Sequence, residues 1–393
     1  MTIVATSGAG PRLFQIQKAQ GSNLCIGLDP HIDPRNGLGV DFYSSYAMNH
    51  MTNKFQTLAQ LMSEYGFGRF PDAKNLGRFL AGVTEYFLTV VEVSWNSGVQ
   101  LYKPQASFYE QFGQFAGIML YIINKRIRDL AIDDSKQGFT IFDGKRGDID
   151  TTQKSYFAAY LTSSDDDVVD FLPGQFGFDV MTITTWMGQD VILPGLDWFQ
   201  KGQGAVIVTR SSNPSGTTLQ DAYISGNPKI VLSDKQKSFQ LTDDNLADVI
   251  NCVGRPVTNA DVMFYITEQI SLENGLSQGG ISSLFSVIGS TVIEDGSFRR
   301  LRPTGVALVP GFGAQGGSFE KAMPMLINDG GAFQGQGAIF SSSRGHNYSW
   351  MKQYGGSGNP DTLVQDLSRA IEAFRKSERQ AYQDAEIHYP YAT

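Results

Sequence analysis

The sequence predicts a (β/α)8 barrel, the TIM barrel, with two large insertions on its catalytic face. Three observations predict it: eight short apolar runs, helical periodicity between several of them, and polar residues gathered where the runs end. In chain order the runs are Asn23–Asp29, Val99–Lys103, Phe139–Asp143, Asp179–Thr184, Ala205–Arg210, Phe285–Ser290, Gly305–Pro310 and Gly337–Ser341. They are nearly continuous rather than alternating, as strands buried on both faces of a parallel sheet must be. Phe108, Phe112, Phe115, Met119, Ile122 and Arg126 step by three and four, so their apolar members form one helical face. Leu363, Leu367, Ile371 and Phe374 repeat that spacing near the C-terminus, and Tyr86–Trp95 and Ala260–Leu272 are shorter helical candidates. A doubly wound open sheet is the competing arrangement, but no G-x-G-x-x-G follows the first run.

About 250 residues suffice for such a barrel, and this chain has 393. The surplus falls at about 32–80, after the first strand, and at about 214–258, after the fifth. Both are expected to decorate one domain spanning 1–393. The net charge of −8 argues against a general nucleic-acid binder, so any bound anion needs a local positive site. Two cysteines are too few for a disulfide framework and suggest a reducing compartment. The four histidines show no metal-ligand spacing, and no metal site is expected. No apolar run approaches the length of a membrane span, and the N-terminus lacks a signal pattern, so a cytoplasmic location is expected.

The chemistry concentrates in 139-FTIFDGKRGDIDTT-152. Side chains two apart in a strand share a side, so Asp143 and Lys145 are presented together, and Asp148 follows across a glycine. Alone, D-x-K-x-x-D is a weak motif and reads more readily as a strand end with solvated charges. Its weight comes from the other run ends, which carry Asp29, Lys103, Thr184, Ser212-Asn213, Thr291, Gly311–Gly317 and Arg344. In a barrel of this type those ends build the active site. The seventh, 309-VPGFGAQGG-317, offers Gly311, Gly313 and Gly316, whose backbone N–H groups can close on an anion. The eighth supplies Arg344, whose planar fork suits a phosphate. Together they predict a small substrate bearing a phosphate monoester.

These segments resemble the orotidine 5′-phosphate decarboxylase family. The resemblance is carried, in the family's order, by 24-LCIGLDPH-31, 103-KPQASFYEQFG-113, 141-IFDGKRGDIDTT-152, 209-TRSSNPSG-216, 309-VPGFGAQGG-317 and 342-SSRG-345. The K-P-Q and S-N-P-S-G forms are similar to the bacterial branch with the longer barrel. The resemblance implies cofactor-free decarboxylation of orotidine 5′-phosphate to UMP, the last step of pyrimidine synthesis. Lys103, Asp143, Lys145 and Asp148 would form a charged tetrad, with Lys145 protonating C6. Asp29 and Lys103 would hold ribose hydroxyls, Ser212 the pyrimidine ring, and Gln315 and Arg344 the 5′-phosphate. Asp148, Ile149 and Thr152 would reach the neighbouring subunit's site, implying a homodimer with shared sites. One departure is 182-TITTWMG-188, where that branch usually has Asn-Pro-aromatic. Two other functions share these features: a Mg2+-dependent phosphosugar decarboxylase or synthase with the same D-x-K-x-x-D core, and a non-catalytic nucleotide-binding protein.

Overall fold

Eight parallel strands close into a barrel in sequence order, the first pairing with both the second and the eighth. They are β1 (Leu24–Leu28), β2 (Leu101–Pro104), β3 (Phe139–Arg146), β4 (Val180–Ile183), β5 (Gly204–Arg210), β6 (Leu284–Ile288), β7 (Val306–Pro310) and β8 (Ala338–Ser342). This computed structural model describes residues 8–50, 73–161, 176–224, 243–289, 296–312 and 317–391. Each predicted run is a strand, with ends that agree within a residue or two except in β3. That strand runs on through Arg146, past the Asp143 at which the apolar run stops.

Side chains alternate across a strand, and the inward set fills the barrel. Leu101, Phe139, Ile141, Val180, Val206, Phe285, Val306, Leu308 and Ile339 belong to one buried cluster. Phe139 and Phe285 stack across it with centroids 6.4 Å apart. Continuing two residues further along the same inward files gives Lys103 after Leu101, Asp143 after Ile141, and Thr182 after Val180. The apolar packing therefore hands over to polar groups at one rim, where the site lies. The opposite end is plugged by the helix Ala9–Gln20, whose Leu13, Phe14 and Ile16 join the interior cluster. Its Ala9 N–H donates to Ser283 Oγ (3.1 Å), just before β6, and Gln17 Nε2 donates to Ala338 O (2.7 Å), where β8 begins.

The single helix expected from Phe108 to Arg126 is instead broken. A short helix, Ala106–Glu110, gives way to a 3-10 turn, Gly113–Phe115, and then to the helix Ala116–Asp133. Gly113 sits at φ +62°, a left-handed conformation that an α-helix cannot include. The break rotates the second helix, so its buried face is Met119, Leu120, Ile123 and Ile127, while Ile122 and Arg126 lie beside it half-buried. The other helical expectations hold with longer bounds: Ala73–Asn96, Leu363–Asp384 and Asn259–Glu273. The last begins with a capping box, in which Thr258 and Asp261 each bond the other's backbone N–H.

Within 32–80 the described residues include the helix Val40–His50, packed against Ala73–Asn96. Tyr43 and Tyr86 meet Tyr348 and Trp350 in an aromatic cluster. There Tyr43 and Tyr348 share a hydroxyl hydrogen bond of 3.0 Å, and Tyr86 donates to Asn347 O (2.5 Å). The insertion is thereby fastened to the segment that carries Arg344. Gly66-Phe67-Gly68 in this insertion and Ser225-Gly226-Asn227-Pro228 in the second lie outside the described residues.

Candidate active site

A cavity of about 250 Å³ opens at the C-terminal rim of the strands. Asp29, Lys103, Asp143, Lys145, Ser212, Gly311 and Arg344 all line it, so seven of the residues singled out in the sequence share one cavity. Gln105, Phe108, Ser211 and Ser343 also line it. All four lie within the motifs that carry the family resemblance, but none of them was assigned a role in the site from the sequence.

Asp143 is the centre of the arrangement. Its Oδ2 accepts from Lys103 Nζ (2.7 Å) and its Oδ1 from Lys145 Nζ (2.6 Å), so one carboxylate holds two ammonium groups. Oδ1 also accepts from Thr182 Oγ1 (2.9 Å). Burial opposes ionisation of Asp143, but Lys103 and then Lys145 outweigh it and hold the carboxyl far below the usual carboxylate range. Burial likewise opposes the charge on Lys103, yet Asp143 and Asp29 overcome it and raise its pKa. Asp143 and Lys103 are therefore both ionised throughout the neutral range. Lys145 is the more open lysine, its side chain 43% exposed against 7% for Lys103.

Lys145 has φ +46°, a left-handed conformation that disfavours a side chain by about 1 kcal/mol or more. The kink coincides with a register shift between β3 and β4 after Phe142. Beyond it, Thr184 N–H donates to Arg146 O (2.8 Å). A Cβ on Gly147 would lie 2.4 Å from Thr184 Oγ1, so only glycine allows this approach. Thr184 thus fastens the top of β3, while Trp186 beside it is 81% exposed and does not line the cavity.

The other walls are equally fixed. At β1, Tyr109 donates to Leu28 O (2.9 Å) and Tyr348 to Asp29 O (3.3 Å), while Asp29 Oδ1 is buried without a hydrogen-bond partner. A buried acceptor left bare beside a cavity is one a ligand hydroxyl can satisfy. At β5, Arg210 grips Asp221 through both fork nitrogens (2.6 and 2.7 Å), bracing the loop that bears Ser212. That loop rests against Gly289, where a Cβ would lie 2.7 Å from Ser212 Cα. At β8, half-buried Arg344 starts the short helix Arg344–Asn347 and has no ion-pair partner among the described residues. It is close enough to His31 to help lower that residue's pKa, an effect due first to burial.

Asp148, Ile149 and Thr152 do not line this cavity. They stand on the outer side of the rim, Asp148 half-buried and the other two exposed. Ile149 instead borders a separate, open cavity of about 480 Å³ with Leu193, Pro194 and Leu196. Gly313, Gln315, Gly316 and Thr291 lie outside the described residues. Among the described residues no group of three or more His, Cys, Asp or Glu is placed to hold a metal ion, and no helix is long and apolar enough to cross a membrane.

A closed (β/α)8 barrel whose C-terminal rim carries the Lys103–Asp143–Lys145 cluster, and an Arg344 with no ion-pair partner among the described residues, has the layout of a TIM-barrel enzyme. An orotidine 5′-phosphate decarboxylase of Clostridium botulinum is 31% identical over 245 residues, which cover 62% of this chain and 68% of that protein. The chain belongs to the orotidine 5′-phosphate decarboxylase family and is a carboxy-lyase. The family's Rhodopirellula baltica member is 27% identical over 244 residues, 62% of this chain and 65% of the relative. Among solved structures, the barrel matches orotidine 5′-monophosphate decarboxylase of Plasmodium berghei (TM-score 0.61, 16% identity, 96% of this chain and 99% of the other). It also matches OMP decarboxylase of Leishmania donovani (TM-score 0.53, 18% identity, 93% and 98%). No protein-family model matches the chain.

Proposed function

We propose that the protein converts orotidine 5′-phosphate to UMP without a cofactor, as the last step of pyrimidine synthesis, with Lys145 as proton donor. The observation that carries the reading is the single buried carboxylate of Asp143 gripped by Lys103 and Lys145 inside the rim cavity. Breaking the bond from C6 to the carboxylate leaves an electron pair on C6. An ammonium fixed beside that carbon is attracted more strongly as charge localises there, so Lys145 stabilises the transition state more than the substrate. Its Nζ–H then passes the proton to C6, and the neutral amine regains a proton from solvent. Asp143 holds the Lys145 ammonium in place through their 2.6 Å bond and presents a like charge to the substrate carboxylate. The lysine term should dominate, because it acts on charge that exists only once the bond is breaking.

The remaining roles belong to the same proposal. Asp29 and Lys103 hold ribose hydroxyls, supported by the bare Oδ1 of Asp29 at the cavity wall. Ser212 faces the pyrimidine, and Arg344, Gln315 and the glycines Gly311, Gly313 and Gly316 take the phosphate. Asp148, Ile149 and Thr152 serve the site of a second copy in a homodimer. Their position on the outer rim, with Ile149 45% exposed, supports this. The chain works as one domain with two insertions. A cytoplasmic setting fits its free cysteines, Cys25 and Cys252.

The test is the loss of orotidylate absorbance with purified protein, with and without a chelator. Turnover unchanged by chelator is expected. Activity that vanishes with chelation and returns with Mg2+ would point instead to the phosphosugar chemistry of related barrels, and binding of UMP without turnover to a nucleotide-binding protein. In the same assay Arg344→Ala should raise KM and lower kcat/KM roughly 100-fold, the loss expected for charge-assisted bonds to a phosphate. An unchanged kcat/KM would remove the phosphate assignment.

A further inference from the structure

We infer that Thr182 is a positioning residue for the decarboxylation, setting where the Lys145 ammonium stands relative to Asp143. The inference rests on the proposed role of Lys145. Phe142 pairs with Met181 and Arg146 with Ile183, so Asp143, Gly144 and Lys145 of β3 face Thr182 alone on β4. Such a stretch has no regular ladder to hold it, and Lys145 within it has a positive φ. The Thr182 hydroxyl supplies what the ladder does not. It accepts the Lys145 backbone N–H (2.8 Å) and donates its own proton to Asp143 Oδ1 (2.9 Å).

A hydroxyl has one proton to give and lone pairs to receive with, so both bonds form at once. The oxygen of Asp143 that it reaches is the same one that holds Lys145 Nζ (2.6 Å). Backbone nitrogen, hydroxyl, carboxylate and ammonium therefore close a ring that starts and ends at Lys145. Thr182 is fully buried, so water cannot readily take the place of its hydroxyl. Without it the lysine keeps its partner, but the backbone from which it projects loses its anchor. A shift of even 1 Å in a reacting group can reduce turnover about 100-fold.

Thr182→Val keeps the shape of the side chain and removes the hydroxyl. Thr182→Ser keeps the hydroxyl and removes the methyl. Measured beside wild type and Lys145→Ala on orotidine 5′-phosphate, Thr182→Val should lower kcat roughly 10- to 100-fold. Its dissociation constant for UMP should stay within about twofold of wild type, because phosphate, ribose and ring contacts are untouched. Thr182→Ser should recover most of the rate. If Thr182→Val is recovered only unfolded, Thr182→Ala removes the same hydroxyl and is expected to show the same split.

A valine variant that turns over as wild type does, while Lys145→Ala is inactive, overturns the role of Thr182 and leaves that of Lys145 standing. A serine variant as slow as the valine one also overturns it, since packing of the methyl group would then be responsible. So does a parallel loss of UMP binding. A wild-type protein with no activity on orotidine 5′-phosphate overturns both readings together.

Discussion

Lys145→Ala is expected to lose turnover by roughly 10⁴-fold or more while the protein still binds UMP. Two effects disappear together: general-acid proton delivery, on the order of 10²–10⁴, and electrostatic stabilisation of developing charge, on the order of 10²–10³. They reside in one ammonium, so their losses do not add independently, and the lower bound is the safer one. Binding should survive because the other cavity walls stand on separate strands, with Asp29 on β1, Ser212 after β5 and Arg344 after β8. Lys103 still neutralises Asp143 in the variant, through the 2.7 Å bond that does not involve residue 145. Titration with UMP and single-turnover measurement of CO2 release separate the two properties. Decarboxylation within about tenfold of wild type would end the proton-donor assignment, and loss of UMP binding would show that Lys145 organises the pocket.

The meeting of Asp143 and Lys145 was legible in the sequence, but the backbone that produces it was not. Two-residue spacing in an extended strand puts both side chains on one side, and they do meet. They meet, however, across a kink with φ +46° at Lys145 and a shifted register against β4. A register shift depends on both strands, and nothing within FDGKR alone specifies it. Thr182 escaped notice for the same reason. Inside MTIT a threonine is an ordinary strand former, and its value arises only because three residues of β3 face it. The barrel itself was legible because buried parallel strands are apolar throughout, a composition signal that survives without any partner. The helix after β2 was not, because the three-and-four spacing continues across Gly113, whose positive φ breaks the helix and rotates its buried face. The place of Arg344 at the rim cavity could be read from its position after β8. The aromatic cluster that ties its segment to residues Tyr43 and Tyr86 could not, since those lie far away in the chain.

Asp143→Asn is expected to impair both catalysis and stability, with a pH dependence that identifies the cause. The amide keeps the shape but cannot hold two cations, so Lys103 is left buried with only Asp29 to offset its charge. Removing one partner of a buried pair typically destabilises by about 3–5 kcal/mol. The Lys145 arm contributes little of this, because its side chain is 43% exposed and solvent screens it. The folded Asp143 carboxyl lies below its unfolded value of about 3.9. Its stabilisation is therefore present above that pH and is lost as pH falls through the folded value. Lys103 has a folded pKa above its unfolded value of about 10.4, so its share is present below that pH and fades as pH rises through the folded value. The gap between wild type and Asp143→Asn should accordingly be widest and flat between about pH 4 and pH 10 and narrow outside that window. Denaturant unfolding across that range measures it. The kinetic loss should be roughly 10²–10³, since Lys145 survives but is no longer aimed. A variant as stable as wild type at pH 7 would mean that the two lysines do not need the carboxylate between them, and the ionised cluster would no longer account for the site.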